Sequence, residues 1–339
     1  MSDAVNYTDV NLTGVLSVLC TPFRPDGALD EVSLSRLVDH QLAWGVDGLV
    51  VFGLAGELYK LSDDERRRIL TSVVQRVAGA VPVIAGSEHT GTEAAAARSR
   101  EAVELGADAL MVYPPTFVKP DAKGVKEYYE AIAEATDVPI IIQDAPAWTG
   151  VPLPLELLVA IAELSPRLCW VKVEAPPAAA KIRALRSAGV HVLGGYGALY
   201  LAEDLGAGVE GVMPGCALPG LYLDVWRSHE CGDEERVFAR YRQALPLLVF
   251  QMSSLDVFVA VQKALLHSIG VIDSPRLRRP GAELDAEQQR WLDKLIERTG
   301  LERFVAPAPV AAPEGATLPR RSTGHQGTLS RARKERSGA

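Results

Sequence analysis

Short apolar runs alternate with amphipathic helical patterns along most of this chain. The runs have the composition of buried β-strands, and the segments between them place leucine, isoleucine and valine at helical spacing. Glycine-containing turns precede several runs, as at Gly45, Gly106, Gly189 and Gly208, which is typical of a helix that ends before the next strand. The predicted strands cover residues 15–19, 48–52, 81–85, 109–112, 138–143, 168–173, 191–193 and 211–213.

Strands that alternate in this way with helices predict an α/β fold, specifically a (β/α)8 TIM barrel with a C-terminal helical appendage. The main alternative is a doubly wound open sheet, which uses fewer strands and a glycine-rich phosphate turn after the first one. Residues 19–23 contain no such turn, so the barrel is favoured. We expect an N-terminal arm over 1–12, the catalytic barrel over 13–220, helices packed on it over 221–303, and a disordered tail over 304–339 that is first rich in alanine and proline and then basic.

Charge, apolar runs and the spacing of histidines and cysteines exclude several classes of function. The formal net charge of −8 and the lack of a basic face in the body of the chain argue against nucleic-acid binding. No apolar run approaches the roughly 20 residues of a membrane span, and no signal peptide is recognisable. The six histidines and four scattered cysteines lack metal-ligand spacing. We therefore expect a cytoplasmic protein with reduced thiols, no membrane partner and no metal.

Lys172 lies in the apolar run over 168–173, where a hydrophobic residue would be expected. A desolvated lysine can become a neutral amine nucleophile that condenses with carbonyl groups. Residues two apart on a strand share a face, so Glu174 should point the same way as Lys172, while Val171 and Val173 face the helices. Two plainer interpretations stay open: a lysine that extends to solvent from the strand end, and a structural ion pair with Glu174.

The carboxyl ends of barrel strands are where catalytic residues are expected. Strand 2 ends in a glycine-rich turn at residues 53–57, whose amides could hold an anionic group. Glu57 in that turn is more simply a structural residue that binds the turn's own amides. Strand 5 ends in Gln143 and Asp144, strand 7 in Gly194 and strand 8 in Met213.

A set of short motifs resembles the dihydrodipicolinate synthase/N-acetylneuraminate lyase family. They are residues 21–23 (Thr-Pro-Phe), Gly53 with Gly56-Glu57, residues 60–66, Pro146 with Thr149-Gly150, and Lys172. Members of this family are (β/α)8 lyases, commonly homotetramers, whose strand-6 lysine forms an imine with pyruvate or another 2-oxo acid. The resemblance implies that Lys172 is this lysine, that the covalent imine replaces any cofactor, and that the protein is a homotetramer or homodimer.

The chain departs from the family pattern in three places. Leu54 and Ala55 replace a pair of hydroxyl residues, so the backbone amides of Ala55 and Gly56 would bind the substrate carboxylate. Gln143 replaces the proton-relay tyrosine, and Trp148 replaces the arginine that binds a second carboxylate. A glutamine cannot ionise, so the relay passes to Glu174 or Glu57.

These departures resemble the branch that contains 2-keto-3-deoxyarabonate dehydratase. The favoured hypothesis is therefore a Schiff-base lyase that dehydrates a 2-keto-3-deoxy sugar acid. An aldolase that cleaves or condenses pyruvate adducts and a catalytically silent metabolite-binding barrel are the alternatives. The predicted catalytic residues are Lys172, Gln143 and Glu174, and the predicted substrate-binding residues are Ala55, Gly56, Glu57, Asp144, Trp148, Gly194 and Met213.

Overall fold

A computed structural model of the chain describes residues 10–305, and within them eight parallel strands close into a barrel. Neighbouring strands pair in sequence order, and β1 pairs with β8 to complete the ring. The predicted (β/α)8 fold is therefore confirmed, and the open-sheet alternative is wrong. The strands are β1 (Gly14–Val18), β2 (Gly48–Val51), β3 (Val83–Gly86), β4 (Ala109–Val112), β5 (Ile140–Asp144), β6 (Trp170–Val173), β7 (His191–Gly194) and β8 (Gly211–Val212).

Helices follow the strands and cover the outside of the barrel. Their ends carry the expected signals: Ser62 and Glu65 form a complete capping box at the start of α2, and Gly45 ends α1 with φ 79°. The helices up to β8 are α1 (Glu31–Trp44), α2 (Asp63–Val77), α3 (Thr92–Glu104), α4 (Ala122–Ala135), α5 (Pro146–Thr149), α6 (Leu155–Ala162), α7 (Ala178–Ser187) and α8 (Leu201–Ala207).

Beyond β8 the described chain is helical. It forms α9 (Pro219–Glu230), α10 (Glu234–Gln251), α11 (Leu255–Ser268) and α12 (Ala286–Thr299). The helical stretch predicted over 221–247 is two helices, because the chain turns at Cys231 and Gly232, where Gly232 has φ 74°. The boundary predicted at residue 220 falls inside α9, which packs against β1 and α1. The division into domains stays a prediction.

The predicted terminal segments are mostly outside the described residues. Of the arm predicted over 1–12, only residues 10–12 are described, and Leu12 is fully buried beneath the barrel strands. Of the tail predicted over 304–339, only Phe304 and Val305 are described, and both are buried.

Strand alternation divides the core into two layers. Leu16, Ile141 and Trp170 fill the barrel interior with other inward residues, whereas Val171 and Val173 belong to the larger core between the sheet and the helices. Alternate residues of β5 and β6, the strands that contain the predicted catalytic residues Gln143 and Lys172, therefore point into the barrel. The next inward positions after Ile141 and Trp170 are those of Gln143 and Lys172.

Candidate active site

Lys172 and Gln143 are direct neighbours across the β5–β6 pair, because they are register partners in that ladder. Lys172 is 4% exposed and Gln143 is 2% exposed. The Nζ atom of Lys172 lies 3.3 Å from the Oε2 atom of Glu174, just past the end of β6. The lysine therefore does not extend to solvent. It is enclosed at the carboxyl end of the barrel beside a buried carboxylate.

Glu174 contacts both Lys172 and Gln143 at this end of the barrel. Its Oε2 atom also accepts a hydrogen bond from Nε2 of Gln143 at 2.6 Å, and its Oε1 atom accepts one from the backbone N–H of Tyr196 at 2.8 Å. The carboxylate is thus in contact with neighbours from β5, β6 and the loop after β7. Because both oxygens are engaged, the side chain is held in a single orientation toward Lys172.

Gly195 makes this close packing possible. A Cβ atom at this position would lie 2.5 Å from Cγ of Glu174 and 2.8 Å from Cε of Lys172. Real Cβ atoms are not found at such distances, so any other residue would displace both side chains. The requirement for glycine here is steric and comes from the side chains of Lys172 and Glu174.

Other buried carboxyl groups surround the pair. Burial raises the pKa of Asp204 to about 7, with Glu203 and Glu174 adding to the rise. Burial also raises the pKa of Asp144, although the ammonium of Lys181, 2.6 Å away, opposes this. Burial and the neighbouring carboxylates therefore favour the protonated, uncharged form of Asp204.

A cavity opens at Lys172. Its polar side-chain groups are those of Gln143, Lys172 and Glu174 together with the indole N–H of Trp148, and the rest of the lining is apolar or glycine. A mostly apolar lining with a few convergent polar groups is typical of a small-molecule site. The lining consists of Val18, Leu54, Ala55, Gln143, Trp148, Lys172, Glu174, Gly197, Met213, Pro214, Gly215, Met252, Leu255 and Phe258.

The structure gathers some of the predicted site residues and separates others. The three predicted catalytic residues line the cavity, as do Ala55, Trp148 and Met213, whereas the lining does not include Gly56, Glu57, Asp144 or Gly194.

Asp144 follows Gln143 on the strand and therefore faces outward, where it pairs with Lys181. The amide N–H of Gly56 donates to the carbonyl of Gly53 at 2.8 Å, so it is already engaged within the turn. The Gly194 backbone lies against Asp204, since a Cβ there would be 2.9 Å from Oδ2 of that residue.

Glu57 is completely buried and serves as an anchor for the C-terminal helices. Its Oε1 atom accepts from Nζ of Lys263 on α11 at 2.5 Å, and its Oε2 atom accepts from Nζ of Lys60 at 2.9 Å. The backbone N–H of Arg278 also donates to Oε2 at 3.0 Å. The partners are thus lysines and a distant amide, rather than the turn's own amides. This arrangement holds the turn that carries Leu54 and Ala55 against α11.

The residues that the sequence did not single out come mainly from the C-terminal helices. Met252, Leu255 and Phe258 enter the cavity from the α10–α11 connection and the first turn of α11. Their apolar spacing is the same signal that an ordinary core-facing helix gives. Among residues 10–305, no cluster of three or more His, Cys, Asp or Glu side chains could hold a metal ion. No helix in that part of the chain is long and apolar enough to cross a membrane.

Comparison with known proteins identifies the family to which this chain belongs. Residues 11–299 match the model of the dihydrodipicolinate synthetase family. The chain belongs to this family. The match includes the barrel and the helices that follow it, in agreement with the resemblance seen in the sequence motifs.

Individual members of the family share about a third of their residues with this chain. L-2-keto-3-deoxyarabonate dehydratase from Azospirillum brasilense is 36% identical over 303 residues, covering 84% of this chain and 96% of the relative. A 4-hydroxy-tetrahydrodipicolinate synthase from Xanthomonas axonopodis pv. citri is 37% identical over 302 residues, covering 84% and 94%. The crystal structure of a dihydrodipicolinate synthase from Acinetobacter baumannii, complexed with pyruvate, superposes with a TM-score of 0.78 at 26% identity, covering 86% of this chain and all of that one.

The substitution Gly195→Ala tests the packing around Glu174. We expect the rate of covalent capture of pyruvate to fall on the order of 100-fold, because the added methyl group displaces Lys172 and Glu174 by a fraction of a bond length or more. Gly206→Ala on α8 is the matched control, since nothing lies within 4 Å of its added Cβ. Equal capture rates in the two variants would contradict this account.

The substitution Glu57→Gln tests the anchor to α11. It leaves the fully buried ammonium of Lys263 without its carboxylate, so we expect a loss of about 3–5 kcal/mol in the free energy of unfolding. Denaturant titration measures this loss. The control Glu31→Gln removes an exposed ion pair with Arg68 and should cost about 1 kcal/mol or less. A loss of that small size for Glu57→Gln would show that Glu57 is not an anchor.

Proposed function

We propose that this protein is a lyase that forms an imine between Lys172 and a 2-oxo acid, and that it dehydrates a 2-keto-3-deoxy sugar acid. The observation that carries the proposal is the buried Nζ atom of Lys172, which lies in a largely apolar cavity 3.3 Å from the carboxylate of Glu174. A lysine in such a place can lose its proton to a neighbouring base and attack a carbonyl carbon. The dehydratase relative and the synthase structure that holds pyruvate support this assignment.

The reaction begins when the amine of Lys172 adds to C2 of the substrate and water leaves, which gives an iminium ion. The positive nitrogen draws electrons from C3, so a base can remove a C3 proton and leave an enamine. The enamine then expels the hydroxyl on C4, which departs as water after it receives a proton. Hydrolysis of the unsaturated iminium frees the lysine and the product, which tautomerises to a 2-oxo semialdehyde when C5 carries a hydroxyl.

Glu174 is the group that moves protons in this scheme. It lies beside Lys172 and can take the C3 proton and return it to the leaving hydroxyl. Gln143 donates to Glu174 and cannot ionise, so its role is to hold the carboxylate in place. In the role of substrate carboxylate binder, we propose the backbone N–H of Ala55, which lines the cavity. Glu57, held by two lysines, is not proposed as the relay.

Trp148 favours dehydration over the synthase reaction. Its side chain lines the cavity where a cation would be needed to bind a second carboxylate on the substrate. Pyruvate-dependent cleavage or condensation is the second candidate function, because the same iminium serves it and the synthase relative is 37% identical. Release of pyruvate from a 2-keto-3-deoxy acid identifies cleavage, whereas formation of a 2-oxo semialdehyde identifies dehydration.

Covalent capture tests the imine. Borohydride reduction in the presence of pyruvate should add one reduced pyruvate to Lys172, as located by peptide mass mapping, and Lys172→Met should abolish the adduct. The control Lys123→Met changes an exposed lysine on α4 and should leave the adduct unchanged. An adduct on a different lysine, or none at all, would contradict the proposal and favour a barrel that binds a metabolite without reacting.

The variant Glu174→Gln tests the proton relay. It keeps the shape of the side chain but cannot carry a proton, so we expect turnover of 2-keto-3-deoxyarabonate to fall about 100- to 10,000-fold. The reduced pyruvate adduct at Lys172 should still form, which separates proton transfer from imine formation. Turnover within tenfold of the wild-type rate would assign the relay to another group.

Three further expectations stay predictions, the first two from the resemblance and the third from composition. The imine chemistry is expected to need no cofactor, the protein is expected to act as a homotetramer or homodimer, and its location is expected to be cytoplasmic. The substrate partner is a small 2-oxo acid, and neither nucleic acid nor a membrane is an expected partner.

A further inference from the structure

Apart from Gln143, Lys172, Glu174 and the glycines, the cavity is lined by apolar and aromatic side chains. We infer that this apolar wall (Leu54, Trp148, Met252, Leu255 and Phe258) selects 2-oxo acids whose far end carries no charge. It would reject substrates that end in a second carboxylate or a phosphate. The inference rests on the proposed function, because the 2-oxo group must be held at Lys172 for the far end to reach the wall.

Met252 and Phe258 are fixed against the barrel rim by close packing. A Cβ atom at Gly197 would lie 2.4 Å from Sδ of Met252 and 2.8 Å from Cε2 of Phe258. A Cβ atom at Gly215 would lie 2.9 Å from Cζ of Phe258. The two glycines therefore let these side chains press directly on the loops that follow β7 and β8. Met252 and Phe258 are thus part of the packed structure.

Two buried glutamines hold the helices that carry the wall. Gln262 on α11 accepts a hydrogen bond from the backbone N–H of Ala217 at 2.8 Å and donates to Oε1 of Gln251 at 3.0 Å. Gln251 in turn donates to the carbonyl of Gly197 at 3.4 Å. Because each glutamine is at most 1% exposed, these bonds would be costly to break. The wall is thus tied to the same loop that positions Glu174.

Trp148 completes the wall from the β5 side. Its ring lies 5.9 Å from the ring of Tyr196, which lies 5.8 Å from the ring of Tyr200. Such tilted pairs keep the aromatic rings in place. The ring of Trp148 can contact the C–H groups of a substrate chain, and it offers no positive charge.

The charge distribution decides which far ends are accepted. Lys172 is the cation among the residues that line the cavity, and imine formation commits it to C2 of the substrate. A second anionic group would be buried against apolar side chains, with the carboxylate of Glu174 in the same cavity. An unpaired charge in such surroundings is strongly unfavourable. A methyl or hydroxymethyl end would meet no such barrier.

Two matched substrates test this inference. In 4-hydroxy-2-oxopentanoate and 4-hydroxy-2-oxoglutarate the first four carbons carry the same groups, and the fifth is a methyl group in one and a carboxylate in the other. Consumption of either compound is followed, so dehydration and cleavage both count. We expect kcat/KM for the methyl compound to be at least about 100-fold higher. A ratio below about tenfold would overturn the inference.

Variants of the wall sharpen the test. Trp148→Arg and, separately, Met252→Arg should each reduce the ratio of the two kcat/KM values by at least about tenfold, because the new guanidinium can pair with the fifth-carbon carboxylate. Trp291→Arg changes a half-exposed tryptophan on α12 and should leave the ratio unchanged. A ratio that stays at the wild-type value in both wall variants, while pyruvate is still captured at Lys172, would overturn the assignment of the wall.

Capture of pyruvate by the wild-type protein distinguishes failure of the proposed function from failure of the inference about the wall. Pyruvate has no far end, so its adduct depends on Lys172 and not on the wall. If the adduct forms and the substrate ratio is small, only the inference about the wall fails. If no adduct forms, the proposed function fails and this inference fails with it.

Discussion

The carboxylate of Glu174 is the contact on which the site depends. It receives hydrogen bonds from Gln143 and from the backbone of Tyr196, and it lies 3.3 Å from the amine of Lys172. Residues from β5, β6 and the loop after β7 therefore meet at one side chain. A buried carboxylate is stable only when its partners are in place, so the same contacts that satisfy Glu174 also orient the amine. The contacts that stabilise this part of the rim are thus the same ones that would position the lysine for the proposed imine.

The rest of the molecule supports this group through two connections. Gly195 supplies the space that the pair occupies, since any side chain there would overlap both residues. Glu57 connects the turn after β2 to Lys263 on α11, which brings the C-terminal helices over the mouth of the barrel. The helices beyond β8 are consequently part of the site. They supply Met252, Leu255 and Phe258, which line the cavity together with Lys172.

The sequence predicted the barrel because its strand and helix periods alternate, and it predicted Lys172 because an ammonium in an apolar strand is unusual. It also predicted that Lys172 and Glu174 share a face, which the outward positions of Val171 and Val173 confirm. The period of two places Asp144 outward as well, but its position beside Gln143 at a strand end concealed this. The wall residues could not be recognised, because their spacing matches any core-facing helix. Lys263, the partner of Glu57 on α11, lies 206 positions away along the chain, and no local pattern reveals it.

A crystal structure of the protein with pyruvate tests the central claim most directly. We expect continuous density from Nζ of Lys172 to C2 of pyruvate, with Glu174 still accepting hydrogen bonds from Gln143 and from the N–H of Tyr196. The methyl group of pyruvate should point into the cavity toward the apolar wall. Pyruvate bound in the cavity without a covalent bond to Lys172, or bound covalently to another residue, would contradict it.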